Sequence, residues 1–186
     1  MRSLLVFATL LLLSSDLLAN TRERLQEANF AQQLELEQSP LQRKNQDVLT
    51  YLWVDVYAAA FYAPPQVSAN QAFNQPLNQR LELYYFRAIE RQDVIKAAWV
   101  TLKQQHDPTT LERLRPGIDA LHGQFRDIRP GDRYALNFSD ASGLTLERNG
   151  EIAFTSPDPQ LAKAYLGIWL APNGLSDALR SSLLAD

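Results

Sequence analysis

Cysteine is absent from the 186-residue chain. This absence excludes thiol catalysis, zinc–thiolate and iron–sulfur sites, and any disulfide framework. Glycine is also scarce, with seven residues, and the closest two, Gly117 and Gly123, are six positions apart. The sequence therefore contains no GxGxxG segment or other glycine-rich phosphate loop.

Neither charge nor histidine is concentrated in a way that indicates a site. The chain has 18 basic and 21 acidic side chains, a formal charge of −3 and a pI near 5.4. Without a run of like charge it does not fit a nucleic-acid partner or an anionic membrane surface. His106 and His122 are too far apart for a helical metal pair, and no serine lies in a GxSxG segment. We predict no metal, no cofactor and an exposed position for both histidines, which have polar neighbours.

The first twenty residues have the pattern of an export signal. Arg2 provides a positive start, Leu4–Leu13 is an apolar run, and residues 14–19 form a more polar exit that ends at Ala19. The run is too short for a membrane span, which needs about 20 residues. We predict cleavage after Ala19, no integral membrane segment after cleavage, and a periplasmic or secreted protein.

Composition divides the rest of the chain in two. Residues 20–46 are rich in Gln and Glu, and we predict a weakly structured leader there. Residues 47–186 are predicted to form the folded domain. Within it, Val48–Ala63 is apolar on both faces and indicates one long or two consecutive buried strands. A proline- and asparagine-rich loop is predicted over Pro64–Asn78, and a further strand over Leu81–Arg87.

The remaining patterns alternate between helices and strands. Helical spacing over residues 94–102 and 111–125 predicts a helical pair, which Pro116 kinks or divides. Strands follow over residues 134–154, with a two-residue hairpin turn at Asn149-Gly150. Two short helices close the chain. The order predicts an α+β domain with helices packed on a mostly antiparallel sheet.

A group of aromatic residues is the most distinctive feature. Tyr57, Tyr85 and Trp99 could line a cleft for an apolar ligand, with Arg87 as a partner for an anionic headgroup. The same rings would equally suit an ordinary core, and Arg87 could instead pair with Glu90 or Asp93. Asp55 is an acid in an apolar strand, so it needs a hydrogen bond or an ion pair if it is buried.

Five segments together resemble a known family. They are WVDVYAAAFYAP (53–64), LELYYFRAIERQD (81–93), GDR (131–133), LERNGEIAF (146–154) and YLGIWL (165–170). In order and spacing they resemble the exported bacterial branch of the chalcone isomerase-like family, from about Val48 to Ala185. The resemblance implies an open-faced β-sandwich, in which a helical layer packs on a large antiparallel sheet with a ligand cleft between them.

The resemblance implies either catalysis or binding. Plant chalcone isomerases use an Arg, a Thr and a Tyr for catalysis. In this chain the Arg position falls near Asn45, the Thr position at Tyr57, and the Tyr position near Gln92 or Asp93. None of the three is matched, so no catalytic residue is predicted. In related fatty-acid-binding proteins an Arg and a Tyr hold the carboxylate. By analogy Arg87 or Arg43, with Tyr57 or Tyr85, would take those parts.

We therefore predict a non-catalytic periplasmic protein that binds a small amphipathic molecule, such as a fatty acid, between sheet and helices. Two alternatives stay open. One is an isomerase or lyase acting on an enone or phenolic compound. The other is a structural or interaction module whose cleft is filled by its own side chains.

Overall fold

The fold is built on one antiparallel sheet in which every strand pairs with its neighbours in sequence. The computed structural model describes residues 20–185, and the predicted export signal lies outside them. Its seven strands lie in the order β1 to β7. They are β1 (Gln33–Leu36), β2 (Ser39–Tyr51), β3 (Val54–Ala63), β4 (Gln79–Tyr85), β5 (Arg133–Ser139), β6 (Gly143–Arg148) and β7 (Glu151–Ser156).

Helices cover both faces of this sheet, to different extents. They are α1 (residues 20–28), α2 (Ala69–Asn74), α3 (Arg91–Gln105), α4 (Pro108–His122), α5 (Pro159–Leu170) and α6 (Asp177–Leu183). The predicted α+β class, with a helical layer on an antiparallel sheet, is confirmed. Within residues 20–185 no helix is both long enough and apolar enough to cross a membrane.

Alternation along β3 creates two separate cores. Tyr57, Ala59 and Phe61 belong to the large core beneath α2 to α6. Ala58, Ala60 and Tyr62 point to the opposite face and pack with residues of α1 and β2. Both sets are almost completely buried, which explains why the strand is apolar on both faces.

The predicted weak structure over residues 20–46 is wrong. This segment contains α1, β1 and more than half of β2. Its few apolar residues are sufficient, because Ala28, Phe30 and Leu41 are buried against the second face of β3. The Tyr62 hydroxyl also donates a hydrogen bond of 3.0 Å to the Ala31 carbonyl. Tertiary packing thus orders a segment whose average composition is polar.

Tight turns set the register of three hairpins. Val48–Ala63 is divided between two consecutive strands by a turn at Leu52 and Trp53, where both φ angles are positive. The hairpin predicted at Asn149-Gly150 is confirmed, and its turn has the same combination of φ angles. The third such turn, at Glu37 and Gln38, joins β1 to β2. Positive φ at both central residues is the property of type I′ turns.

The predicted helices form with two differences. Pro116 lies inside α4 and does not divide it, since the helix continues from Pro108 to His122. The segment predicted as a loop over residues 64–78 contains the short helix α2, whose first turn is capped by the Ser68 hydroxyl accepting from the Gln71 N–H at 3.2 Å. This helix forms one wall of the cavity described below.

Candidate functional site

Two of the five predicted ligand residues meet between the sheet and the helical layer. Tyr57 of β3 and Tyr85 of β4 are cross-strand partners, and their ring centres are 5.3 Å apart. The Tyr57 hydroxyl accepts a hydrogen bond of 2.9 Å from the Trp169 indole N–H of α5. Both tyrosines are about 95% buried. The predicted position of these two side chains, facing the helices, is therefore what the structure shows.

Trp99 lies on the same side of the sheet but has other neighbours. It is half-buried on α3, its ring lies edge-on to His122 with the centres 5.8 Å apart, and the Arg115 guanidinium lies 4.9 Å from its ring centre. His122 in turn contacts Tyr165, at 5.7 Å between ring centres. The aromatic residues thus form a continuous packed series rather than the two walls of a cleft.

The two predicted arginines do not join this group. Strand β4 ends at Tyr85 and the chain bends, so Arg87 does not continue the face of Tyr85 as the alternation predicted and is exposed instead. Arg43 pairs across the sheet with Tyr62, on the opposite face, and its guanidinium donates a 2.5 Å hydrogen bond to the Phe30 carbonyl. The predicted arrangement of an arginine at the mouth of a tyrosine-lined cleft is therefore not formed.

We call the interior around Tyr57, Tyr85, Tyr165 and Trp169 the tyrosine cluster. The cavity that remains beside it has a volume of only about 20 Å³. This is room for about one water molecule and none for an organic ligand. Burial raises the pKa values of Tyr57, Tyr85 and Tyr165, so these phenols stay protonated at neutral pH.

His122 contradicts its sequence-based interpretation. It was predicted at the surface, but only 4% of it is exposed, and neither ring nitrogen has a hydrogen-bond partner among the described residues. Burial lowers its pKa to about 4, so the imidazole is neutral at pH 7. Its position four residues after the buried Ile118 on α4 is the sequence signal that could have placed it inside.

An open cavity lies at the other end of the same interface, between α2, α5 and the paired ends of β4 and β5. Its volume is about 270 Å³. We call it the α2–α5 cavity. Apolar side chains dominate its wall, and they come from Phe73, Pro76, Phe138, Ala162 and Leu166. Sequence reasoning missed it because Phe73 was assigned to a loop.

Polar groups lie at the edges of this cavity. The Gln79 amide donates to the carbonyls of Ala72 and Leu77, each at 3.2 Å, while its buried carbonyl oxygen has no partner among the described residues. Lys163 is exposed, with its ammonium 5.8 Å from the centre of the Phe73 ring. Among the described residues that line the cavity, Lys163 is the only charged one. An apolar interior with a cationic rim suits an amphipathic anion.

The polar residues on the opposite face of the sheet are already paired with each other. Glu82 bridges Arg80 at 3.1 Å and Arg133 at 2.6 Å, and Arg80 also contacts Glu147 at 2.8 Å. Asn137 donates to Glu147 at 2.7 Å. Because these charges are paired with one another, we interpret the cluster as a network that stabilises the fold and not as a binding site.

Asp55 and Asn45, which lies near one position aligned with an isomerase residue, have structural roles. Asp55 accepts hydrogen bonds from Thr50 at 2.7 Å, Asn20 at 2.8 Å and Arg24 at 3.2 Å, as expected for a buried acid. Asn45 donates to the carbonyls of Leu183 and Ala185 and so holds the C-terminal segment. These contacts occupy the side chains in the fold itself.

Comparison with known proteins agrees with this architecture. The model of the chalcone isomerase-like family matches residues 22–185. The chain belongs to this family. Its fold is similar to the crystal structure of a fatty-acid binding protein from Arabidopsis thaliana, with a TM-score of 0.58 over 83% of this chain and 90% of that one. The two sequences are 13% identical, so this likeness concerns the fold alone. No curated protein matches the chain in sequence.

Proposed function

We propose that this protein is an exported, non-catalytic member of the chalcone isomerase-like family that binds a small amphipathic anion such as a fatty acid. The observation that carries the proposal is the α2–α5 cavity, in which an apolar wall meets a single positive charge at the rim. The fold shared with a fatty-acid binding protein supports the ligand class. The ligand tail would lie against Phe73, Phe138 and Leu166, with its carboxylate toward Lys163.

The volume of the cavity limits the size of the ligand. Ligand pockets are usually about 300 to 1,000 Å³, so 270 Å³ is near the lower end. A medium-chain fatty acid such as decanoate is the size class we propose. A long-chain fatty acid would leave part of its tail in solvent or require α2 to move.

Binding without catalysis agrees with the chemistry near the cavity. Its lining residues are apolar or carry amides, apart from Lys163, and they offer no paired acid and base. The positions aligned with the isomerase residues lie elsewhere, and Tyr57 at one of them is buried with a raised pKa. An enone isomerase therefore lacks a supporting residue set among those that the structure describes.

One observation favours the alternative of an interaction module. That alternative requires the cleft between sheet and helices to be filled by the protein's own side chains, and the tyrosine cluster is filled in this way. The α2–α5 cavity supports ligand binding instead, because an apolar space beneath a cationic rim suits an amphipathic anion. Measured ligand binding therefore separates them directly.

Export is the second part of the proposal. Arg2 and the apolar run Leu4–Leu13 support it. We place the protein in the exported bacterial branch of its family, in the periplasm or outside the cell. N-terminal sequencing of the protein from the periplasmic fraction is expected to begin at Asn20, whereas a start at Met1 would refute cleavage.

Calorimetric titration with decanoate tests the binding function. Wild-type protein is expected to bind, and Ala162→Phe is expected to lose roughly tenfold or more in affinity because the new ring occupies the cavity. Ala120→Phe, at an exposed position of α4, is the matched control and is expected to bind as the wild type does. No binding to the wild type, or equal binding to Ala162→Phe in its folded state, would contradict the proposal.

A further inference from the structure

The hairpin between β2 and β3 ends in an exposed apolar tip. The tip consists of Tyr51, Leu52, Trp53 and Val54, which are 67%, 73%, 96% and 40% exposed. Four consecutive uncharged residues of this size are not needed at a turn in contact with water. Isolated apolar residues at a surface are common, but a contiguous group indicates an interaction.

The backbone of the tip makes this choice of residues more unusual. Leu52 and Trp53 have φ angles of 47° and 66°, a left-handed conformation that is unfavourable for bulky side chains. Of the other two turns on the sheet with this geometry, one uses Asn149 and Gly150, which tolerate it well, and the other uses the polar pair Glu37 and Gln38. Since folding alone favours Asn-Gly, the Leu-Trp pair points to a role outside the fold.

The groups around the tip suit an uncharged partner. The nearest acid in sequence, Asp55, is paired with Arg24 at 3.2 Å and hydrogen-bonded to Thr50, so its charge is compensated. Two further apolar side chains, Val100 of α3 and Leu175, border the same groove as Tyr51 and are 51% and 37% exposed. The groove also contains Asp93 and Lys96, one charge of each sign, so apolar side chains continue from the tip to the helical layer beside groups with no net charge.

The position of residue 20 favours a lipid surface as the partner. The Asn20 side chain donates a 2.8 Å hydrogen bond to Asp55, two residues from Trp53. The chain therefore enters the described fold beside the tip, and the nineteen preceding residues include the apolar run Leu4–Leu13. Before the proposed cleavage after Ala19, an export signal of this kind is held in the membrane, so the tip lies close to the surface of the same bilayer during export.

We propose that the Leu52–Trp53 tip inserts into the surface of a lipid bilayer. Trp and Tyr prefer the interface between headgroups and acyl chains, and Leu contributes apolar area below it. The inference stands apart from ligand binding, since it uses no residue of the α2–α5 cavity.

A double substitution tests this role without harming the fold. Leu52→Asn with Trp53→Gly introduces the pair found at residues 149 and 150, so thermal stability is expected to stay the same or rise. Flotation of the exported protein with neutral phosphatidylcholine vesicles is expected to fall roughly tenfold or more. Added anionic lipid is expected to change wild-type binding little, because the tip carries no cation.

A matched substitution controls for turn chemistry. Glu37→Asn with Gln38→Gly changes the β1–β2 turn, which has the same φ signs but no apolar side chain, and is expected to float as the wild type does. Equal flotation of the Leu52→Asn, Trp53→Gly variant and the wild type would overturn the proposal.

Fluorescence locates the inserted residue. The chain has three tryptophans, so the Trp53 signal is the difference between wild type and Trp53→Phe. With vesicles whose acyl chains are brominated, this signal is expected to shift to shorter wavelength and to be quenched. A Trp53 signal that vesicles leave unchanged would contradict insertion, and so would one that responds only to an added protein.

Discussion

The two ends of the interface between sheet and helices are made from the same elements but differ more than tenfold in free volume. Strands β4 and β5 and helix α5 contribute to both. The tyrosine cluster leaves about 20 Å³, and the α2–α5 cavity about 270 Å³. Helix α5 shows why, because Tyr165 and Trp169 fill one end whereas Ala162 and Leu166 border the other. The size of the side chains on neighbouring faces of α5 therefore determines which end of the interface is packed and which end keeps a cavity.

The largest effect is expected in the packed end. Tyr165→Ala removes a ring that contacts His122 and Trp169, and we expect it to cost about 3–5 kcal/mol of unfolding free energy, measured with urea. Decanoate affinity of the folded fraction is expected to be unchanged. If Tyr165→Ala abolished binding while the protein stayed folded, the ligand site would belong to the tyrosine cluster.

His122, in the packed end, is expected to make the stability of the protein depend on pH. The unfolded chain protonates His122 near pH 6.5, whereas the folded protein does so only near pH 4. Between these values the unfolded state binds more protons, so stability is expected to fall by about 2–3 kcal/mol as the pH drops from 6.5 to 4. Above pH 6.5 this contribution is fully present.

Unfolding measurements across this pH range separate His122 from other groups. Asp119 and Arg91 also influence its titration, in opposite directions, and both are retained in the test variants. His122→Phe is expected to remove most of the slope between pH 4 and 6.5, and His106→Gln to leave it. An unchanged slope in His122→Phe would show that another group is responsible.

Enlarging an alanine side chain is expected to change stability differently at the two ends of the interface. Ala164 lies in the core and lines neither of the two cavities at this interface, so Ala164→Leu is expected to cost about 1–3 kcal/mol through overpacking. Ala162→Leu places the same atoms toward the α2–α5 cavity, and we expect little or no loss. Thermal unfolding of both variants checks the contrast. An equal loss in both would mean that Ala162 has no free space beside it.

The sequence predicts the packed end better than the open one. Period-2 alternation in β4 and helical spacing in α5 identify Leu81, Leu83, Tyr85 and Tyr165 as interior residues, as they are. The α2–α5 cavity could not be derived in this way, because it is a volume left between elements and not a pattern within one. Helix α2 is only six residues long, too short for a periodic signal.

Other residues were misplaced because their environment is tertiary. His122 has polar sequence neighbours but lies between the rings of Trp99, Phe125 and Tyr165. Arg87 was placed by extending the alternation of β4 beyond its last residue, Tyr85. For His122 the helical spacing from Ile118 was an available local signal, whereas the end of β4 could not be located from its alternation alone.

The smallest effect is expected at the rim of the open end. Lys163→Gln removes its one charge, and we expect decanoate to bind about fivefold more weakly, or about 1 kcal/mol, since the ammonium is exposed to solvent. Binding of decanol, which has no charge, is expected to change little. Lys103→Gln, at an exposed position on α3, serves as the control. An equal loss for decanoate and decanol would assign Lys163 a packing role against Phe73.

The most direct test of the account is a crystal structure with a decanoate that carries bromine on its terminal carbon. Anomalous scattering locates the bromine without reference to any assumed pose. We expect a bromine peak among Phe73, Phe138 and Leu166, with the carboxylate density directed to Lys163. A bromine peak beside Tyr57, Tyr85 or Tyr165 would show that the tyrosine cluster opens to bind the ligand and would contradict the assignment of the α2–α5 cavity.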